Sequence, residues 1–69
     1  MKEKLTGYLR MIGKNQNFLA NYLEISPTTL SHKINEKDNK VFNKNEMVAI
    51  TELIKQKYPN VTMDEIFFN

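Results

Sequence analysis

The chain has 69 residues, no cysteine and a formal net charge of +2. A chain this short forms one domain, here residues 1–69, and neither disulfides nor a cysteine-based zinc site can support its small core. No apolar run approaches the roughly 18 residues that a membrane span needs, and the first residues lack the continuous apolar core of a signal peptide. We therefore expect a cytoplasmic protein with no membrane partner.

The charge is unevenly distributed along the chain. Residues 1–14 carry a net charge of +3 and residues 26–44 carry +2, whereas residues 45–69 carry −2. The total is too small to indicate a nucleic-acid partner by itself, and mixed charges also cover ordinary solvated surfaces. The distribution nevertheless concentrates positive charge in the first predicted helix and around the third.

The first predicted helix covers residues 2–13. Its apolar side chains follow the i, i+3, i+4, i+7 spacing of a helix with one buried face. These residues are Leu5, Tyr8, Leu9 and Ile12. Gly13 is placed to end the helix in a left-handed conformation, which glycine adopts without the steric cost of a Cβ atom.

Two short helices joined by a tight turn are predicted between residues 16 and 35. Asn15 is placed to cap the first of them. Ser26 and Pro27 start the second, because a serine side chain accepts a hydrogen bond from a free N–H and proline has no N–H to leave unpaired. In the first of the two, Phe18 is expected to cover the core, with an exposed contact as the alternative.

The second of these helices presents a polar face opposite Leu30 and Ile34, which stand four residues apart and share its buried side. Thr28 and His32 point most directly outward. Four further polar residues flank them: Thr29, Ser31, Lys33 and Asn35. Such groups can read the donors, acceptors and thymine methyls of the DNA major groove. Two helices at a steep angle, with the second presented outward, form the helix-turn-helix arrangement.

The last part of the chain contains two further helix starts. A polar, basic loop leads to Asn43 and Glu46, which have the spacing of a capping box and open a helix predicted over residues 44–57. Thr62 and Glu65 repeat that spacing and open a short final helix. The sequence therefore predicts five helices and no strand.

The final helix carries two adjacent phenylalanines. Phe67 and Phe68 cannot both point inward from a single turn of helix. One is expected to seal the core against the first and fourth helices, and the other to remain for a partner surface. The alternative is that both partly cover a small core.

Residues in three stretches carry a resemblance to a known family. In the central stretch they are Gln16, Leu19-Ala20, Leu23, Ile25-Ser26, Thr28 to Ser31 and Ile34-Asn35. Later in the chain they are Phe42, Glu46 and Met63 to Phe68. Together they resemble the lambda-repressor-like (Cro-like) helix-turn-helix family of small phage and bacterial regulators. The chain departs from the family at three positions. Lys14 stands where the family commonly has an apolar residue, and Glu24 stands where it usually has a glycine in the turn. Glu36 stands where a glycine often follows the recognition helix.

The resemblance implies an all-α, compact five-helix lambda-repressor-like domain with a central helix-turn-helix. It implies a sequence-specific DNA-binding transcriptional regulator, a phage repressor or Cro-like protein, which acts in the cytoplasm of a bacterial host cell. Helix 27–35 would enter the major groove of a double-stranded DNA operator. The family commonly binds paired half-sites as a homodimer.

The expected site residues fall into three groups. Base edges would be read by Thr28, Thr29, Ser31, His32 and Asn35. DNA phosphates would be contacted by Gln16, Asn17, Ser26, Lys33, Lys37 and Lys40. A dimer or partner contact would be made by Met63, Ile66, Phe67 and Phe68. No catalytic residue, metal site or cofactor is expected, because a single histidine lacks companion ligands and there is no glycine-rich phosphate loop.

Two alternatives remain open at this point. A small modulator or antirepressor of the same fold would act by binding a partner repressor protein, because a fold alone does not determine function. The weak net charge, the absence of arginine from helix 27–35 and the apolar end of the chain favour this reading. The antitoxin of a toxin–antitoxin pair is the second alternative, and nothing in the sequence distinguishes it except that no disordered tail follows Asn69.

Overall fold

In the computed structural model, which describes residues 2–68, five α-helices and one 3₁₀ turn follow one another. The helices are α1 (Lys2–Met11), α2 (Gln16–Leu23), α3 (Pro27–Ile34), α4 (Lys44–Lys55) and α5 (Met63–Phe67), and the 3₁₀ turn is Lys37–Asn39. The described residues contain no strand, and the molecule measures 32 × 22 × 20 Å. The prediction of a compact all-α fold is confirmed.

The helices begin where side-chain chemistry predicts. The side chain of Asn15 accepts a hydrogen bond from the backbone N–H of Phe18 over 2.9 Å. Ser26 caps α3 and Pro27 follows it at the first helical position. At α4 the capping box is complete, because Asn43 and the carboxylate of Glu46 each accept a hydrogen bond from the other residue's N–H.

The second predicted capping box is only half formed. The hydroxyl of Thr62 accepts a hydrogen bond from the N–H of Glu65 over 3.2 Å. The Glu65 carboxylate does not return to the backbone of the capping residue: its Oε1 atom accepts a hydrogen bond from the Thr62 hydroxyl over 3.4 Å, and its Oε2 atom accepts one from the Tyr8 hydroxyl in α1. The side chain that would complete the cap therefore ties the last helix to the first.

Three helices end earlier than predicted. α1 ends at Met11 rather than at residue 13, α3 ends at Ile34 rather than at residue 35, and α4 ends at Lys55 rather than at residue 57. Gly13 adopts a φ of +76°, as expected of a left-handed cap. After it, the N–H of Lys14 donates to the carbonyl of Leu9 over 2.9 Å, which closes a Schellman motif.

The core is a single apolar cluster to which every α-helix contributes. Its residues are Leu5, Leu9, Leu19, Ala20, Leu30, Ile34, Phe42, Ile50, Leu53, Ile54, Val61, Ile66 and Phe67. Phe18 packs against this cluster while half-buried, which confirms that it covers the core. α1 and α4 both pack on α5, and α2 packs on α3. The α2–α3 pair is therefore held on one side of the domain core.

The segment between α3 and α4 is an irregular loop. Glu36, Asp38 and Asn39 all have positive φ angles, of 54°, 55° and 62°. The left-handed region is costly for residues with a Cβ atom, by about 1–2 kcal/mol each, although Asp and Asn tolerate it better than most. Phe42 anchors the end of the loop in the core, where its ring meets that of Phe67 edge-on at 5.7 Å.

Among residues 2–68, no helix is both long enough and apolar enough to cross a membrane.

Candidate functional site

The turn between α2 and α3 is built without glycine. Glu24 adopts a left-handed conformation with a φ of 58°. Its N–H donates to the carbonyl of Asn21 over 3.1 Å, and the N–H of Ile25 donates to that of Ala20 over 3.0 Å, so α2 also ends in a Schellman motif. Ser26 then caps α3. The turn consists of only three residues, 24–26, and this short connection fixes one helix against the other.

α3 has a buried edge and a polar outer face. Leu30 and Ile34 are fully or almost fully buried, whereas Thr28 and Asn35 are exposed. Four other predicted site residues on or beside this face are half-buried or exposed: Ser26 is exposed, and Thr29, Ser31 and His32 are half-buried. The predicted outward direction is confirmed for Thr28, while His32 lies lower on the flank of the helix than expected.

The polar groups on this face differ in whether they are already hydrogen-bonded. The Ser26 hydroxyl donates to the Thr29 hydroxyl over 2.9 Å, and the Asn35 amide donates to the carbonyl of Ser31 over 2.9 Å. Within residues 2–68, the side chains of Thr28 and His32 have no hydrogen-bond partner. These two side chains retain their full capacity to bind a ligand.

Lys33 is held inside the protein. Its Nζ atom lies 2.7 Å from both carboxylate oxygens of Glu46, and the two side chains are 16 % and 12 % exposed. An ammonium paired in this way has little to offer a phosphate. The phosphate contact predicted at Lys33 would require this pair to open, and α3 contains no other lysine or arginine.

The remaining predicted phosphate contacts are on the surface. Gln16 and Asn17 lie exposed in the first turn of α2, and Lys37 and Lys40 lie exposed in the loop after α3. Ser26 is exposed too, but its hydroxyl accepts the N–H of Thr29 as the cap of α3. These groups flank α3 from both ends of the α2–α3 pair.

One further cation was missed by sequence reasoning. The surface depressions of this molecule measure about 400 Å³ or less. One of ≈ 220 Å³ lies between α1 and the start of α2. Its lining includes Arg10, Lys14, Asn15 and Gln16. The Nζ atom of Lys14 lies 4.5 Å from the centre of the Phe18 ring, whereas Arg10 is exposed beside Gln16. The net charge of +3 in residues 1–14 was the available signal for Arg10.

The end of the chain divides between core and surface. Ile66 and Phe67 are 0 % and 9 % exposed, whereas Phe68 is 65 % exposed and Met63 is half-buried. The expectation that one phenylalanine seals the core and the other faces outward is confirmed. Of the four residues predicted to contact a partner, Met63 and Phe68 are accessible, whereas a contact through Ile66 or Phe67 would require those side chains to leave the core.

Among residues 2–68, no three His, Asp or Glu side chains come together in a group that could hold a metal ion. Comparisons of the chain with protein-family models, with curated proteins and with solved structures find no match. We therefore infer function from the side chains of α2 and α3.

Proposed function

We propose that the protein is a sequence-specific DNA-binding transcriptional regulator of the lambda-repressor-like, Cro-like kind, with α2 and α3 as its helix-turn-helix. The observation that carries the proposal is the outer face of α3, where Thr28 and His32 have unpaired polar groups opposite the buried Leu30 and Ile34. A capped, eight-residue helix held against α2 by a three-residue turn is suited to presenting such a face.

The size and chemistry of α3 fit the major groove. A helix with its side chains is about 10–12 Å across, close to the groove width of about 12 Å. The Thr28 hydroxyl and methyl suit base edges and thymine methyls, and the imidazole of His32 donates to guanine or accepts from a base amino group according to its tautomer. Thr29, Ser31 and Asn35 would contribute secondary contacts after exchanging their local hydrogen bonds.

Phosphate contacts would come from the surroundings of α3. Lys37 and Lys40 follow it in the loop, while Arg10 of α1 and Gln16 at the start of α2 line the same cleft. Contacts of this kind position a protein on the duplex and carry no sequence information. These cations precede and follow the α2–α3 pair along the chain, and each is exposed.

A modulator that binds a partner repressor protein is the second candidate function. Two observations favour it. Lys33 is neutralised by Glu46, so α3 itself brings no free positive charge to a duplex. Phe68 exposes 65 % of its surface, and aromatic side chains are enriched at the centres of protein interfaces.

Selection of bound sequences from a random duplex library tests the proposal. We expect enrichment of a short motif, arranged as two half-sites about one helical turn apart if the protein binds as a homodimer. Affinity for the motif should fall steeply between about 50 and 200 mM salt, because bound phosphates release counterions. A folded protein that enriches no motif, and binds duplex poorly at both salt concentrations, would instead support the modulator.

A further inference from the structure

The ion pair between Lys33 and Glu46 joins α3, the proposed DNA-recognition helix, to α4. Both Glu46 oxygens lie 2.7 Å from Lys33 Nζ, and the pair is largely shielded from water. Glu46 Oε1 also accepts the N–H of Asn43 over 3.0 Å, within the capping box of α4. One carboxylate therefore closes the start of α4 and fixes the last turn of α3.

We propose that Glu46, acting through Lys33, is a positioning residue that sets the rotation of α3 about its own axis and hence the placement of Thr28 and His32. The proposal rests on the DNA-binding function proposed above. It assigns Lys33 to a brace within the protein and not to a phosphate of the operator. We call the Lys33–Glu46 pair the α3 brace.

Two separate attachments determine how a helix is rotated. The short turn and the cap at Ser26 hold the start of α3, and Leu30 and Ile34 hold its buried edge, but non-directional apolar packing allows a small rotation of the last turn. Lys33 precedes Ile34 and so lies about 100° from it around the helix. The ion pair adds a second attachment at this flank, because Lys33 Nζ lies 2.7 Å from both carboxylate oxygens of Glu46.

The rotation of α3 is important because hydrogen bonds to base edges tolerate only small displacements of the side chains. A helix with its side chains is about 10–12 Å across, so a roll of about 20° moves a side-chain tip by about 2 Å. Hydrogen bonds between heavy atoms extend only from about 2.7 to 3.2 Å. A loosened α3 would thus lose contacts to base edges while keeping the phosphate contacts of flexible lysines elsewhere. The ratio of specific to non-specific affinity should fall.

The test compares four single variants, and the double variant of Lys33→Met with Glu46→Gln, by titration against the selected site and against a duplex of scrambled sequence. Lys33→Met keeps the aliphatic stem and removes the charge, and Glu46→Gln removes the charge but keeps an amide oxygen for the cap. Lys33→Arg retains a cation that can bind both oxygens. Lys40→Ala is the control for a phosphate contact. Circular dichroism establishes that each variant is folded at the temperature of the titration.

If the brace positions α3, Lys33→Met and Glu46→Gln each lower the specificity ratio on the order of tenfold, comparable to weakening one base contact. The double variant loses no more than the worse single variant, since both remove the same pair. Lys33→Met leaves the salt slope unchanged and Lys33→Arg preserves the ratio. Lys40→Ala lowers the slope by about one without changing the ratio.

Other outcomes separate the two proposals. If Lys33→Met lowers the salt slope by about one and leaves the ratio unchanged, Lys33 contacts a phosphate and the brace is overturned while DNA binding stands. If the Glu46→Gln variant is folded and its ratio of specific to non-specific affinity is unchanged, the brace is overturned as well. The Lys33–Glu46 pair then contributes only to stability. If the unaltered protein selects no sequence, the proposed function fails and the brace loses its role with it.

Discussion

The hydroxyl of Tyr8 in α1 donates a hydrogen bond to Oε2 of Glu65 in α5 over 3.2 Å, across 57 positions of the sequence. The bond joins the first helix to the last beside a groove of ≈ 400 Å³ that both residues line. Oε1 of the same carboxylate accepts a hydrogen bond from the Thr62 hydroxyl at the start of α5 over 3.4 Å. Tyr8 was expected only as part of the apolar stripe of α1, and its polar end has this second role.

The contact between Tyr8 and Glu65 makes stability depend on alkaline pH. Burial raises the pKa of Tyr8 above its ordinary value of 10.0, and the hydrogen bond to Glu65 and that residue's negative charge raise it further. The folded protein therefore holds the phenolic proton more tightly than the unfolded chain. The resulting stability is fully present below pH 10 and is lost as the pH rises through the raised pKa.

Tyr8→Phe should remove this dependence. Near pH 8 we expect the substitution to lower the free energy of unfolding by about 1 kcal/mol, because one hydrogen bond is lost. Above pH 10 the difference between the two proteins should shrink as Tyr8 ionises in the unaltered chain. Urea denaturation of both proteins at several pH values measures this difference in the free energy of unfolding. A difference that stays constant up to about pH 11 would contradict the raised pKa.

Gly13 and Glu24 occupy equivalent positions after α1 and α2, both with positive φ and both within Schellman motifs. Gly13→Ala should destabilise the protein by about 1 kcal/mol, because a Cβ atom is strained there. Glu24→Gly should stabilise it by a similar amount for the same reason. Gly7→Ala is the matched control: Gly7 lies within α1 with nothing within 4 Å of the added Cβ, so alanine should stabilise the helix.

Thermal unfolding of the three variants decides the point. The strain argument requires opposite signs for Gly13→Ala and Gly7→Ala, although both make the same chemical change. If all glycine-to-alanine changes stabilise, the effect comes from the unfolded chain alone.

The features predicted from sequence are those determined by near neighbours. The caps at Asn15, Ser26 and Asn43 depend on residues three positions away, so spacing alone identifies them. The apolar periodicity likewise gave the buried faces of α1 and α3. Helix ends were less certain because the terminal turns have few intrahelical bonds and fray into turns.

Features that depend on distant residues were not predicted. Lys33 meets Glu46 across 13 positions, which requires the packing of α3 beside α4 to be known. The positions of Ile66 and Phe67 in the core similarly depend on α1 and α4. In the loop after α3, Asp38 and Asn39 adopt left-handed conformations that their residue types permit but do not demand.

Phe67 and Phe68 are neighbours with opposite surroundings, and substitutions should separate their roles. Phe67→Ala leaves a cavity in the core and should cost about 3–5 kcal/mol, a large part of the stability of so small a domain. Phe68→Ser should change the free energy of unfolding by less than about 0.5 kcal/mol, because the ring is mostly exposed. Chemical denaturation measures both effects.

Phe68→Ser also tests whether the end of α5 meets a partner. If the protein is a homodimer through this surface, sedimentation should show a dissociation constant raised on the order of tenfold or more, as for other exposed aromatic anchors. Lys55→Ser, at an exposed position of α4, provides a control of comparable surface change. A dimer that is indifferent to Phe68→Ser would place the contact elsewhere.

Substitutions of His32 and Lys40 should have different effects on DNA binding. His32→Ala removes an unpaired imidazole from the outer face of α3 and should cost about 1–3 kcal/mol on the preferred site, with relaxed preference at one base pair. Lys40→Ala should weaken binding to all duplexes alike and reduce the salt slope by about one. Titrations of both variants against the selected site and its single-base variants distinguish the two effects.

Thr28→Ala extends the comparison, because Thr28 is the other unpaired side chain on that face and is fully outward. Its loss should relax a different base pair from that affected by His32→Ala, since the two residues stand four apart, about 6 Å along the helix. Losses at two separate base pairs should be roughly additive. If His32→Ala leaves the site preference unchanged while Thr28→Ala alters it, only the N-terminal part of α3 reads bases, and the half-buried His32 supports the helix from its flank.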